Sequence, residues 1–154
     1  MTRAASSKGI LPYQHITQLI ARGSITSDHP IEDRQIQPAS LDLRLGKKAY
    51  RLVMYEMDLT QGAILEKGHV YLVPLLEQLD LPATLRARAN PKSTTGRLDV
   101  FTRVVTDLNA GFDEIRAGYR GPLYLEVVPR SFAIKVRTGD SLNQIRFVRG
   151  DATV

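Results

Sequence analysis

Between Ser40 and Leu45 polar and apolar residues alternate one by one, with Leu41, Leu43 and Leu45 set against Ser40, Asp42 and Arg44. A period of two predicts a strand with one face buried and the other, carrying Asp42 and Arg44, turned to solvent. The runs "HVYLVPL", "LDVFTRVV", "PLYLEVV", "FAIKVR" and "SLNQIRFV" are also rich in β-formers and bounded by Gly, Pro, Asp or Asn, so they read as further strands. One segment has helical spacing instead. Tyr13 to Arg22 sets Ile16, Leu19 and Ile20 on one face, with Pro12 before the first turn and Gly23 as a stop.

Many short strands with regularly spaced turns predict a mainly β sandwich, jelly roll or barrel rather than alternating βαβ units. No repeat, low-complexity tract or linker interrupts the chain, which predicts a single domain over residues 1–154. Residues 1–30 form its helix and lead-in, and 31–150 its β core. The closing "RGDATV" gives no sign of a packed terminal element.

Between the strands lies "NPKSTTGRLDVFTRVV", Asn90 to Val105, which opens as a polar turn with three adjacent hydroxyls, a lysine, a glycine and an arginine. Such a turn can surround an anion with hydroxyls and backbone N–H groups, or can simply join two strands. Charge sharpens the question. The chain carries a formal net charge of +5, and from Arg86 to Arg103 five basic residues face one acid, Asp99. This local excess suits a phosphate-bearing ligand and equally a solvated basic face. Aromatic residues make up only 6% and do not interleave with the basic ones, so a base-stacking surface for a nucleic-acid polymer is not expected.

Other chemistries lack their residues. Without cysteine there is no disulfide or thiolate metal site, which fits a reducing compartment, and the chain reads as cytoplasmic. No apolar run approaches the roughly 18–20 residues that span a bilayer, and the N-terminus lacks the apolar stretch of a signal peptide. The zinc nucleobase-deaminase signature is absent, and His15, His29 and His69 lie in unrelated segments. Neither GxxxxGK[ST], GxGxxG nor GxSxG occurs. What remains is "GYRGPLYLEVV", a turn over Gly118 to Pro122 followed by a strand in which Glu126 sits between Leu125 and Val127. Glu126 is either a solvent-side residue or, if its face meets a pocket, a candidate proton shuttle.

The order of these segments resembles the family of dCTP deaminases and trimeric dUTP diphosphatases. "PKSTTGRLDV" resembles the family's G-R-S-S-x-x-R-L-G-L block, with Ser93, Thr94, Arg97 and Leu98 in matching places. "ASLDLRLG" is similar to its A-x-x-D-x-R-L-G strand, "GYRG" to its D-Y-R-G or G-W-S-G turn, and "IKVRTGDSLNQIRF" to its closing strand. The resemblance runs from about Ile36 to Phe147 and implies a distorted jelly roll or β-barrel of the trimeric dUTPase type, with one N-terminal helix.

Within that family the deaminases carry a catalytic glutamate in G-W-S-G-x-I-x-L-E, and "GYRGPLYLE" has Glu126 there. The resemblance therefore implies metal-independent hydrolytic deamination of dCTP to dUTP and ammonia. Glu126 would move the protons, Ser93 would hold water or substrate, and Arg97 would sit beside Glu126. Lys92, Thr94 and Gln144 would bind the nucleotide, the triphosphate lying at a subunit interface. Asp42 and Arg44 are assigned to subunit packing. No cofactor is implied for the deamination step, while Mg2+ can arrive with the triphosphate. The expected partners are dCTP or dUTP and further copies of the fold, as a homotrimer or pseudo-trimer, with no membrane and no nucleic-acid polymer.

The chain departs from the family pattern at several points. Lys92 replaces an arginine, Asp99 a glycine, and Arg116 an acid expected of the diphosphatases. The link "TDLNAGFDEIRAG" is longer than usual, and no tail follows the closing strand, as expected of a shortened chain or of one half of a longer duplicated deaminase. The alternatives are a dUTP diphosphatase and a non-catalytic nucleotide-binding or assembly half.

Overall fold

The computed structural model describes residues 8–51, 55–107 and 111–150. The polar ends read from sequence, 1–7 and 151–154, and the middle of the long link, 108–110, lie outside the described residues. In chain order the elements are β1 (Gly9–Ile10), α1 (Tyr13–Ala21), β2 (Ile25–Ser27), a 3-10 turn (Asp33–Gln35), β3 (Leu41–Leu43), β4 (Lys48–Arg51), β5 (Tyr55–Asp58) and β6 (Ala63–Leu65). They continue with β7 (Tyr71–Asp80), β8 (Leu85–Pro91), α2 (Ser93–Arg97), β9 (Val100–Thr106), β10 (Glu114–Ile115), β11 (Arg120–Pro129), β12 (Ile134–Val136) and β13 (Asn143–Arg149).

Helix α1 forms where the apolar spacing places it. Ile16 and Leu19 are buried, and each such side chain contributes about 1.5–3 kcal/mol by leaving water. It ends at Gly23, whose φ of +80° costs a glycine little, and the Ser24 N–H bonds back to the Leu19 carbonyl at 2.9 Å.

The strands build two principal sheets. One runs β1-β13-β8-β10, with β3 beside β13, and the other runs β5-β4-β7-β11-β9, with β2 beside β7. Leu43, Ala87, Ile145 and Phe147 from the first meet Val73, Val104, Leu125 and Val127 from the second in one hydrophobic core. The expected mainly β architecture with a single long helix is therefore present, as a two-sheet sandwich whose sheets stay open rather than closing into a barrel. Among the described residues no helix is long and apolar enough to cross a membrane.

Three local expectations are corrected. Strand β3 is buried on both faces, and Asp42 and Arg44, expected in solvent, are 5% and 7% exposed. Their charges are tolerated inside because each has a partner, Lys92 for Asp42 and Glu77 for Arg44. Second, the polar turn contains a helix, α2. Its sequence STTGR is poor in helix-formers, so anchoring has to hold it: the Lys92 N–H and the Thr95 hydroxyl both donate to the Leu142 carbonyl, at 3.1 and 2.7 Å. Third, the turn expected over Gly118 to Pro122 gives way to strand at Arg120. The buried Tyr119 hydroxyl ties that corner, donating to the Pro122 carbonyl at 2.6 Å and accepting from the Asp107 N–H at 3.2 Å.

Candidate active site

Strand pairing lines up three polar residues on the first sheet. Gln144 of β13 pairs with Asp42 of β3 on one side and Asn90 of β8 on the other. Two residues beyond Asn90, Lys92 reaches the Asp42 carboxylate, Nζ to Oδ2 at 2.6 Å. Together with Ser40 and Ser93 these residues line a cleft of about 440 Å³. Lys92 and Asp42 also line an adjoining cleft of about 400 Å³ that extends to Arg34, Arg44 and Asp140.

Asp42 is fixed from several directions. The Gln35 amide donates to its carbonyl at 2.8 Å, and the Gln37 amide lies 3.5 Å from Oδ2. Its other carboxylate oxygen, Oδ1, is buried and has no hydrogen-bond partner among the described residues. One oxygen thus neutralises Lys92 while the second is unspent.

Glu126 occupies the second sheet. Core-facing Leu125 and Val127 flank it, so the pleat turns its side chain to the outer face, where it is 19% exposed. The β9–β11 register sets Arg103 directly opposite, and Arg103 Nε donates to Glu126 Oε2 at 3.1 Å. Within one chain the arginine beside Glu126 is therefore Arg103, not Arg97 as the resemblance implied. Arg97 and Thr94 are exposed on α2, and their side chains form no hydrogen bond or ion pair among the described residues.

The sequence-predicted residues accordingly fall into two groups. Lys92, Ser93 and Gln144 share one cleft, and Glu126 lies outside both clefts that Lys92 lines. Sequence reasoning missed Glu77, whose side chain is fully excluded from solvent. Its carboxylate accepts from the Arg44 backbone N–H and faces Arg44 Nε at 3.4 Å, yet burial outweighs these contacts and pushes its pKa up to about 7. A signal existed in the sequence: Tyr71, Val73, Leu75 and Leu79 alternate on the buried face of β7, and Glu77 shares their parity. The Arg44 guanidinium also donates to the carbonyls of His29 and Pro30 and to the Ser27 hydroxyl, at 3.1, 3.0 and 2.9 Å, so this pair ties the segment entering the clefts to the core. Among the described residues no group of three or more His, Asp or Glu side chains is gathered closely enough to hold a metal ion.

Comparison with known proteins gives this geometry a setting. The family model described as the 2'-deoxycytidine 5'-triphosphate deaminase N-terminal domain matches residues 7–53 and 51–151. A curated relative from Sulfurihydrogenibium, "dCTP deaminase, dUMP-forming", is 30% identical over 159 residues, covering 91% of this chain and 83% of the relative. The crystal structure of 2'-deoxycytidine 5'-triphosphate deaminase from Agrobacterium tumefaciens superposes with a TM-score of 0.92 at 51% identity, covering 96% of this chain and 50% of that one. This chain thus spans about half the length of that solved protein. The native dUTPase of EIAV shares the fold alone, with a TM-score of 0.58 at 14% identity over 85% of this chain and 91% of that one.

Proposed function

The chain belongs to the 2'-deoxycytidine 5'-triphosphate deaminase family, and from that premise we propose that it hydrolyses the amino group from C4 of dCTP, yielding dUTP and ammonia. The observation that carries the reading is Glu126, a partly buried carboxylate held at one oxygen by Arg103. Its free oxygen, Oε1, can take a proton from water as the water oxygen attacks C4. The carboxyl passes that proton to N3. It then takes the proton of the new C4 hydroxyl and gives it to the C4 amino group, so that the C–N bond breaks and ammonia leaves as the C4 carbonyl forms. One group serves as base and then as acid.

The cleft at Lys92 is the proposed phosphate end. Lys92 has three N–H donors, one directed at Asp42, which leaves two for phosphate oxygens. Ser93 would position the water or the base, Thr94 and Gln144 would contact the nucleotide, and Arg97 would come to Glu126 from another copy of the fold. Any Mg2+ would enter as part of the triphosphate substrate. The separation of Ser93 from Glu126 within one chain supports a site completed by assembly, whether between copies or with a second domain in a longer chain. The absence of cysteine supports a cytoplasmic, reducing setting.

Incubating the folded protein with dCTP and separating the nucleotides while measuring ammonia tests the reading. dUTP and ammonia in equal amounts are expected, with turnover lost in Glu126→Gln. A folded, assembled protein that releases no ammonia would overturn it. The dUMP-forming relative supports a second reading, in which the triphosphate is also cleaved. In that case dUMP and pyrophosphate accompany the ammonia.

A further inference from the structure

The link between β9 and β10 ends in a short clip. Asp113 adopts a left-handed backbone, φ +62°, and closes two hydrogen bonds on a single residue of β9. Its N–H donates to the Val104 carbonyl at 2.9 Å, and its carboxylate accepts from the Val104 N–H at 2.8 Å. A third bond, from the Ala89 N–H to the Asp113 carbonyl at 2.8 Å, fastens the same residue to β8. Asp113 is thereby locked beside Arg103, the neighbour of Val104.

The residue before it is Phe112. Although 48% exposed, its ring lies over the Arg103 guanidinium, with the centroid 3.5 Å from Cζ. Phe101, on the same outer face of β9, is 5.5 Å from that guanidinium. A guanidinium resting on an aromatic face keeps its in-plane N–H groups available at the edge, and the one at Nε is directed to Glu126 Oε2. The opposite carboxylate oxygen makes no hydrogen bond among the described residues.

We infer that Arg103, stacked on Phe112 beside the clip that Asp113 makes to Val104, is a positioning residue that holds Glu126 by one carboxylate oxygen and presents the other to the reacting water. The inference rests on the deaminase reading and names a device that the end of this link supplies. Lysine at 103 would keep the charge but lose the flat stacking surface and the directed Nε–H. Phe112 would then matter through Arg103 alone, without touching the nucleotide.

The test is steady-state deamination of dCTP by the assembled full chain and by Arg103→Gln, Arg103→Lys and Phe112→Ala, each checked for its thermal midpoint. Arg103→Gln is expected to lower kcat roughly tenfold or more with KM within about twofold, the mark of lost orientation rather than lost binding. Arg103→Lys recovers part of kcat, and Phe112→Ala falls between Arg103→Lys and the wild type. Equal kcat in the wild type and Arg103→Gln would overturn the role of Arg103 and leave the deaminase reading standing. A loss that appears only in KM, or only in proportion to unfolded protein, would overturn it as well. No ammonia from the wild type would remove the deaminase reading itself, and the positioning role with it.

Discussion

Arg44 and Glu77 form an ion pair inside the sandwich, Nε to Oε2 at 3.4 Å, with side chains 8% and 0% exposed. Desolvation dominates at Glu77 and pushes its pKa up to about 7 in the fold. An unfolded glutamate ionises near its ordinary value of about 4.3, so between those values the folded state holds a proton that the unfolded chain has released. Stability contributed by this group is complete below about pH 4 and declines as pH rises to about 7. Glu77→Gln should flatten that decline. Denaturant unfolding at half-unit pH steps from 4 to 8 checks it, and an unchanged slope in the variant would remove Glu77 as its source.

Removing the other member of the pair has a pH signature of its own. In Arg44→Met the carboxyl of Glu77 loses its cation, and the carbonyls of His29 and Pro30 lose their donor. Leaving one partner of a buried pair uncompensated costs about 3–5 kcal/mol. Glu77 can escape part of that cost by staying protonated, so the loss should be smaller at pH 5 than at pH 8. Chemical denaturation at the two pH values measures the difference.

Asp99 stands where the family pattern has glycine, and its φ of +52° explains the glycine. Aspartate is admitted because the Ser131 hydroxyl donates to its carboxylate at 2.5 Å and the Arg130 N–H to its carbonyl at 3.1 Å. Asp99→Ala keeps the unfavourable backbone and loses the side-chain bond, so it should cost about 1–2 kcal/mol. Asp99→Gly trades that bond for relief at the backbone and should lie near the wild type. Thermal midpoints give the order, and an alanine variant as stable as the glycine one would refute it.

What could be read from the sequence depended on whether a residue's partner was local. The outer and inner faces of β9 and β11 follow from alternation alone: Arg103 and Glu126 each fall on the less buried parity of their strand. Nothing in either run says that the register sets them opposite one another, and the resemblance pointed to Arg97 instead. Asp42 and Arg44 were misread for the same reason. Alternation marks a polar face but cannot tell water from a buried partner 33 or 50 residues away. Helix α2 was invisible because STTGR has little helical tendency, and the Leu142 carbonyl that anchors it comes from the far end of the chain.

Lys92 offers a test in which folding and binding separate. Lys92→Ala leaves the nearly buried carboxylate of Asp42 without its cation and should destabilise the fold by about 2–3 kcal/mol. It also removes two donors from the proposed phosphate end, so KM for dCTP should rise roughly tenfold with a smaller change in kcat. Adding Asp42→Asn removes the stranded charge, so the double variant should regain most of the stability. Its KM should stay high, because the phosphate donors are still missing. Thermal melts and initial rates on the wild type, the single variants and the double variant supply the cycle. If KM recovers together with stability, Lys92 serves the fold and not the nucleotide.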